Sequence, residues 1–178
     1  MSGEVVAKKY VKALISSVDL GELENLSIIF DSLSRAFKNK KFKDIILSPE
    51  IDNSKKESFL LSIVNSKNSK IENLLKLIVK NGRSADIPEI SKVLNHELAI
   101  KKNEFDGLLI SNQKIDEDDL KDIEQKVSKK LGATIHLKSV VKDYNGLKVE
   151  IDDLGVEIAL STDRLKSQLV EHVLKAIN

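Results

Sequence analysis

Residues 71–90 constrain this chain more than any other stretch: Ile71-Glu-Asn-Leu-Leu-Lys-Leu-Ile-Val-Lys-Asn-Gly-Arg-Ser-Ala-Asp-Ile-Pro-Glu-Ile90. The pattern predicts a helix, a glycine turn and the start of a second helix. Ile71, Leu74, Leu75, Leu77, Ile78 and Val79 leave the first helix little polar surface beyond Glu72, Asn73 and Lys76. Such a helix either lies at the centre of a bundle or keeps a second apolar side for a partner. Asn81-Gly82 supplies the left-handed residue that stops it, and Arg83 follows, making Asn81, Gly82 and Arg83 the structural turn. Asp86 is placed to cap the next helix, with Pro88 in its first turn and Glu89 three residues on.

The flanking sequence adds helices on both sides. Val5 to Val18 carries Val6, Tyr10, Ala13 and Leu14 on one face, with Val11, Ile15 and Val18 beside it. Leu23, Leu26, Phe30, Leu33 and Phe37 recur at steps of three and four. Phe42, Ile45, Ile46 and Leu47 form a short piece ended by Ser48-Pro49, since a residue before proline avoids the helical region. Ser54 with Glu57, and Ser69 with Glu72, have capping-box spacing. A sixth helix from about Ile87 to Glu104 turns Ile90, Val93, Leu94, Leu98 and Ala99 inward.

After Phe105 the period changes. Phe105 to Ser111 reads as a strand, and Asp116 opens a charged amphipathic helix carrying Leu120, Ile123, Val127 and Leu131 until Gly132. Alternation then appears at Ala133, Ile135 and Leu137, again at Leu147, Val149 and Ile151, and at Val156 and Ile158. Asn145-Gly146 and Asp153-Leu154-Gly155 are turn signals. A last helix from about Ser161 carries Leu165, Leu169, Val173 and Ile177. The expected fold class is mainly α, a six-helix N-terminal bundle over 1–105 followed by a small α+β unit over 106–178. Four of the seven glycines fall in that second part. Charge shifts there too: 18 basic and 14 acidic residues through Phe105, 11 and 14 beyond it.

Composition narrows the function. With 29 Lys+Arg against 28 Asp+Glu, no global charge recruits nucleic acid or an anionic membrane. The absence of cysteine excludes disulfide and thiolate chemistry and fits a reducing compartment. No segment approaches the ~20 apolar residues that span a bilayer, and no signal or transit peptide is expected ahead of Val5. Phosphate-binding glycine loops are missing. His96, His136 and His172 stand apart among ordinary helix and strand residues, so no metal site is expected. Asp116 to Asp119 fit the positive end of a helix. Lys38, Lys40, Lys41 and Lys43 read as a solvated loop, and Asp152-Asp153 as a turn. No catalytic residue and no cofactor are expected. The residues describe a two-part helical adaptor with apolar partner surfaces.

Three elements resemble the delta subunit family of bacterial F-type ATP synthases, related to the mitochondrial oligomycin-sensitivity-conferring protein. Val6-Ala-Lys-Lys-Tyr10-Val-Lys-Ala13-Leu14 is similar to the family's opening Tyr-Ala-x-Ala-Leu element, with Val11 in place of the usual alanine. Ile46-Leu-Ser-Pro-Glu-Ile51, followed by Lys55-Lys56, looks like its proline turn. Leu77-Ile-Val-Lys-Asn-Gly-Arg83 with Ile87-Pro-Glu-Ile90 resembles its Asn-Gly-Arg stretch before the sixth helix. Gly146-Leu147 stands where the family often has Gly-Gly.

The resemblance implies a non-catalytic stator that resists rotor torque while protons flow and ATP is made. Its bundle would hold N-terminal segments of the alpha subunits, with Tyr10, Ala13, Leu14, Leu74 and Ile78 as candidates on the first and fifth helices. Its C-terminal unit would hold the C-terminal region of the b subunit through Val170, Val173, Leu174 and Ile177. The protein would lie on the cytoplasmic face of the bacterial inner membrane, peripheral and not inserted. A helical scaffold or regulatory adaptor of another complex is the alternative.

Overall fold

A computed structural model of the chain describes residues 3–65 and 68–161. It is mainly helical, with one small mixed sheet of four strands. The chain divides into two compact units, Met1–Leu98 and Ala99–Asn178.

Six helices precede the first strand: α1 Gly3–Ile15, α2 Leu20–Ala36, α3 Lys40–Leu47, α4 Asn53–Val64, α5 Ser69–Lys80 and α6 Ile87–Lys102. The three- and four-residue rows of the sequence become one shared core. Phe30, Leu33, Ile46, Leu60, Leu75, Ile78, Ile87 and Leu94 are buried in it. Phe37 and Phe42 meet edge to face with centroids 5.2 Å apart, and Phe59 lies 5.7 Å from Phe42. These rings tie α3 and α4 to the end of α2.

The caps differ from the capping boxes that the sequence predicts. Asp52 is the N-cap of α4 and Asn68 that of α5, where the Asn68 side chain accepts a hydrogen bond from the Lys70 N–H. Ser54 and Ser69 instead lie inside their helices. Asn, Asp and Ser cap about equally well, so spacing alone does not choose between neighbours. Asp86 closes a 3-10 turn, Ser84–Asp86, that runs directly into α6, and Pro88 falls in the first turn of that helix.

One feature of this unit was invisible in the pattern. Asp31 Oδ1 accepts from Ser91 Oγ at 2.6 Å and from Asn95 Nδ2 at 2.7 Å, while Ser27 Oγ donates to Asn95 Oδ1. These four side chains form a polar seam between α2 and α6, and Ser27 and Ser91 are buried. Each buried hydroxyl has a partner, which spares the cost of an unmet donor.

In the second unit, β1 Glu104–Ser111, α7 Glu117–Leu131 and β2 Thr134–Val141 form a parallel pair joined by a helix. β3 Gly146–Ile151 and β4 Val156–Ser161 complete a sheet of order β2-β1-β3-β4. The Asn145-Gly146 signal therefore does not close a hairpin: β2 and β3 lie on opposite sides of β1, Glu104 facing Thr134 and Leu109 facing Val149. Asp153-Leu154-Gly155 does close one, between β3 and β4. Alternation is realised as expected, with Phe105, Leu109, Ile135, Leu137, Val149 and Ile151 buried on one face. Leu120, Ile123, Val127 and Leu131 of α7 pack on that face.

Among the described residues β2 ends the sheet, and two of its outward N–H groups are taken up by the helix beside it. Ile135 N–H donates to Ser128 Oγ at 3.0 Å and Leu137 N–H to Glu124 Oε1 at 2.6 Å. Side chains of α7 thus stand where another strand would bond.

Strand β1, over Phe105 to Ser111, is bonded on both sides. Proteases need a segment that can detach, so they are expected to spare it and cut just ahead. Lys101, Lys102 and Asn103 are exposed, and Asn103 has φ 54°. Mild trypsin treatment is expected to release a helical N-terminal fragment ending at Lys101 or Lys102, identified by mass spectrometry. First cuts elsewhere, or a fragment without helical circular dichroism, would oppose this.

A candidate partner groove on the first and fifth helices

Both helices are secured locally. Glu4 and Lys8 pair across one turn of α1 at 2.6 Å. At the end of α5 the Arg83 N–H donates to the Ile78 carbonyl and the Gly82 N–H to Val79, with Gly82 at φ 65°. That pair of hydrogen bonds around a left-handed glycine is the Schellman stop, and it satisfies carbonyls that the helix end leaves open.

Two polar contacts lay α1 and α5 side by side in opposite directions. At one end, Lys70 Nζ of α5 reaches the Ser17 carbonyl just past α1, at 3.4 Å, and Glu22 in the first turn of α2 at 2.8 Å. The Lys70 ammonium, through that hydrogen bond, holds the Glu22 carboxyl below its ordinary range. At the other end, Asn81 Nδ2 donates to Tyr10 Oη at 2.9 Å.

Between these ends the five candidates separate. Ile78 is fully buried, and Leu14 and Leu74 are each 8% exposed, so these three belong to the core of the unit. Tyr10 is half-buried and Ala13 is exposed. The inward row of α1 is Val6, Ala7, Val11 and Leu14, where the sequence predicts Val6, Tyr10, Ala13 and Leu14. A helix with a broad apolar arc offers two adjacent rows, and tertiary packing selects one. On α5, Leu77 is 47% exposed although its apolar neighbours are buried. Of the candidate stripes, the apolar side chains left outward are therefore Tyr10 and Ala13 on α1 and Leu77 on α5. Leu77 was legible as apolar, but periodicity did not mark it as the one turned outward.

The chemistry available at this surface is apolar contact with polar ends. Among the described residues, no group of three or more His, Cys, Asp or Glu side chains could hold a metal ion. His136 is exposed on β2, His96 is half-buried on α6, and His172 lies outside the described residues. Asp116 to Asp119 are exposed at the start of α7. Lys38, Lys40, Lys41 and Lys43 are exposed around the start of α3. No helix among the described residues is long and apolar enough to cross a membrane. Val170, Val173, Leu174 and Ile177 lie outside the described residues.

Comparison with known proteins places this architecture. Residues 6–169 match the family model described as ATP synthase delta (OSCP) subunit. ATP synthase subunit delta of Campylobacter fetus is 43% identical over 174 residues, covering 98% of this chain and 99% of the relative. The Aliarcobacter butzleri protein of the same name is 40% identical with the same coverage, and that of Sulfurimonas denitrificans 35% over 175 residues. Among solved structures, a chain in the cryo-EM structure of the Toxoplasma gondii mitochondrial ATP synthase hexamer superposes with a TM-score of 0.63. It is 18% identical, and the match covers 96% of this chain and 98% of that one, a likeness of fold.

Proposed function

We propose a function from one premise: the chain belongs to the ATP synthase delta (OSCP) subunit family. It acts as a non-catalytic stator subunit of F-type ATP synthase, joining the alpha/beta catalytic head to the b subunit of the peripheral stalk. The N-terminal region, 1–105, works as a six-helix bundle that holds an N-terminal segment of the alpha subunit. The region 106–178 holds the C-terminal region of b. The protein sits peripherally at the cytoplasmic face of the bacterial inner membrane through the complex. Held at both ends, it keeps the head from turning with the rotor, so that proton-driven rotation yields ATP.

The observation that carries this reading is the near end-to-end correspondence with subunits named ATP synthase subunit delta, 98% of this chain against 99% of theirs. The α1–α5 surface supports the alpha half. A groove that takes an amphipathic helix presents apolar side chains to the anchors which that helix carries at helical spacing. Leu77, the Tyr10 ring and Ala13 meet that description. For the b half, Val170, Val173, Leu174 and Ile177 remain the proposed contacts, on the resemblance.

One copurification experiment tests both halves. Ala13→Asp puts a charge on the exposed groove surface without touching the core, so alpha is expected to be lost and b retained. Truncation before Val170 is expected to lose b and retain alpha. Circular dichroism checks that the bundle remains helical in each. Normal alpha recovery with the Ala13→Asp chain would move the groove elsewhere, and full b recovery after truncation would do the same for the stalk contact.

A further inference from the structure

We propose that Asn81 and Lys70 are positioning residues: polar struts that fix the spacing of α1 and α5, so that the groove is already formed before a partner arrives. The inference rests on the reading that this groove takes the N-terminal segment of the alpha subunit.

The apolar core alone does not dictate that spacing. Leu14, Leu74 and Ile78 bury surface whether the helices roll slightly together or apart, because apolar attraction is non-directional. A hydrogen bond is directional, and it weakens steeply once its angle is lost. The two struts stand at opposite ends of the groove: Asn81 to Tyr10 Oη at 2.9 Å, and Lys70 to the Ser17 carbonyl just past α1, with Glu22 of α2 holding the same ammonium. Each links residues far apart in sequence, so each constrains packing and not just one helix. The Tyr10–Asn81 contact has a second effect. With its hydroxyl engaged, the Tyr10 ring is held in one orientation beside Ala13, and the entropy of ordering it does not fall on the binding step. Both contacts are solvent-exposed and add little to folding stability.

That separation between affinity and stability makes the inference testable. The probe is a synthetic peptide of the alpha subunit's N-terminal segment from the same organism, titrated calorimetrically against the full chain and against Asn81→Ala, Tyr10→Phe and the double variant. Each single change is expected to weaken binding about three- to tenfold, the size of one lost hydrogen bond. The double variant is expected to bind no worse than the weaker single, because both changes break the same strut. Melting temperatures should barely move. Lys70→Met should weaken binding in the same direction, independently of the other two.

Unchanged affinity in Asn81→Ala would overturn the proposal. So would losses that multiply in the double variant, since Asn81 and Tyr10 would then each touch the peptide on their own account. A wild-type chain that ignores the peptide altogether would instead remove the alpha-segment reading, and this inference with it.

Discussion

Replacing Gly146 with alanine is expected to disrupt the sheet of the second unit while the helices of the first stay folded. Gly146 has φ 138°, a conformation that residues with a side chain rarely adopt. A Cβ built there would lie 2.0 Å from the Leu160 carbonyl oxygen and 2.9 Å from Ser161 Cα. Both are backbone atoms of β4, paired with β3 in a register that sets Gly146 against Ser161. No flexible side chain is available to swing aside, so the strands themselves must part. The backbone strain alone costs about 1–3 kcal/mol, and the overlap adds to it. A unit of about 80 residues is stable by only roughly 4–12 kcal/mol. NMR spectra should lose the dispersed strand signals of the second unit and keep those of α1 to α5. A variant with unchanged spectra and melting would show that β4 can yield at that point.

The second large effect is expected at the centre of the helical unit. Phe30 is fully buried, and its ring is among the largest side chains in that core. Phe30→Ala removes the ring and leaves a cavity that the surrounding helices fill only in part, at about 3–5 kcal/mol. Ile28, two residues away on the same helix, is 62% exposed, and Ile28→Ala should stay within about 0.5 kcal/mol. Urea titration with an unchanged slope gives both numbers. A Phe30→Ala chain whose midpoint matched that of Ile28→Ala would contradict the packing described for α2.

That contrast also shows what the sequence could and could not reveal. On α2, Leu23, Leu26, Phe30 and Leu33 form one narrow apolar row, and the structure buries that row. On α1 the apolar arc was wide enough for two rows, and the choice between Tyr10-Ala13 and Ala7-Val11 depended on neighbours that periodicity does not encode. Strand alternation survived intact because its period of two permits only two faces. Strand order did not, since β1 comes between β2 and β3 through a parallel pairing with long separation in sequence. The groove was half legible. Its helices were identifiable from their excess of apolar residues, whereas the exposure of Leu77 and the struts at Lys70 and Asn81 arise only when α1 and α5 meet.

The capped rim of β2 bears on how copies of such a chain can meet. Open-ended fibres grow when one molecule offers two complementary ends, each able to receive the next. With Ser128 and Glu124 already accepting from the N–H groups of Ile135 and Leu137, an incoming strand finds outward donors open only toward the last residues of β2. So short a two-stranded ladder is marginal in water. Edge pairing through β4 would then stop at two molecules, and a fold with most of its described residues outside the sheet carries its own chain terminator against polymerisation.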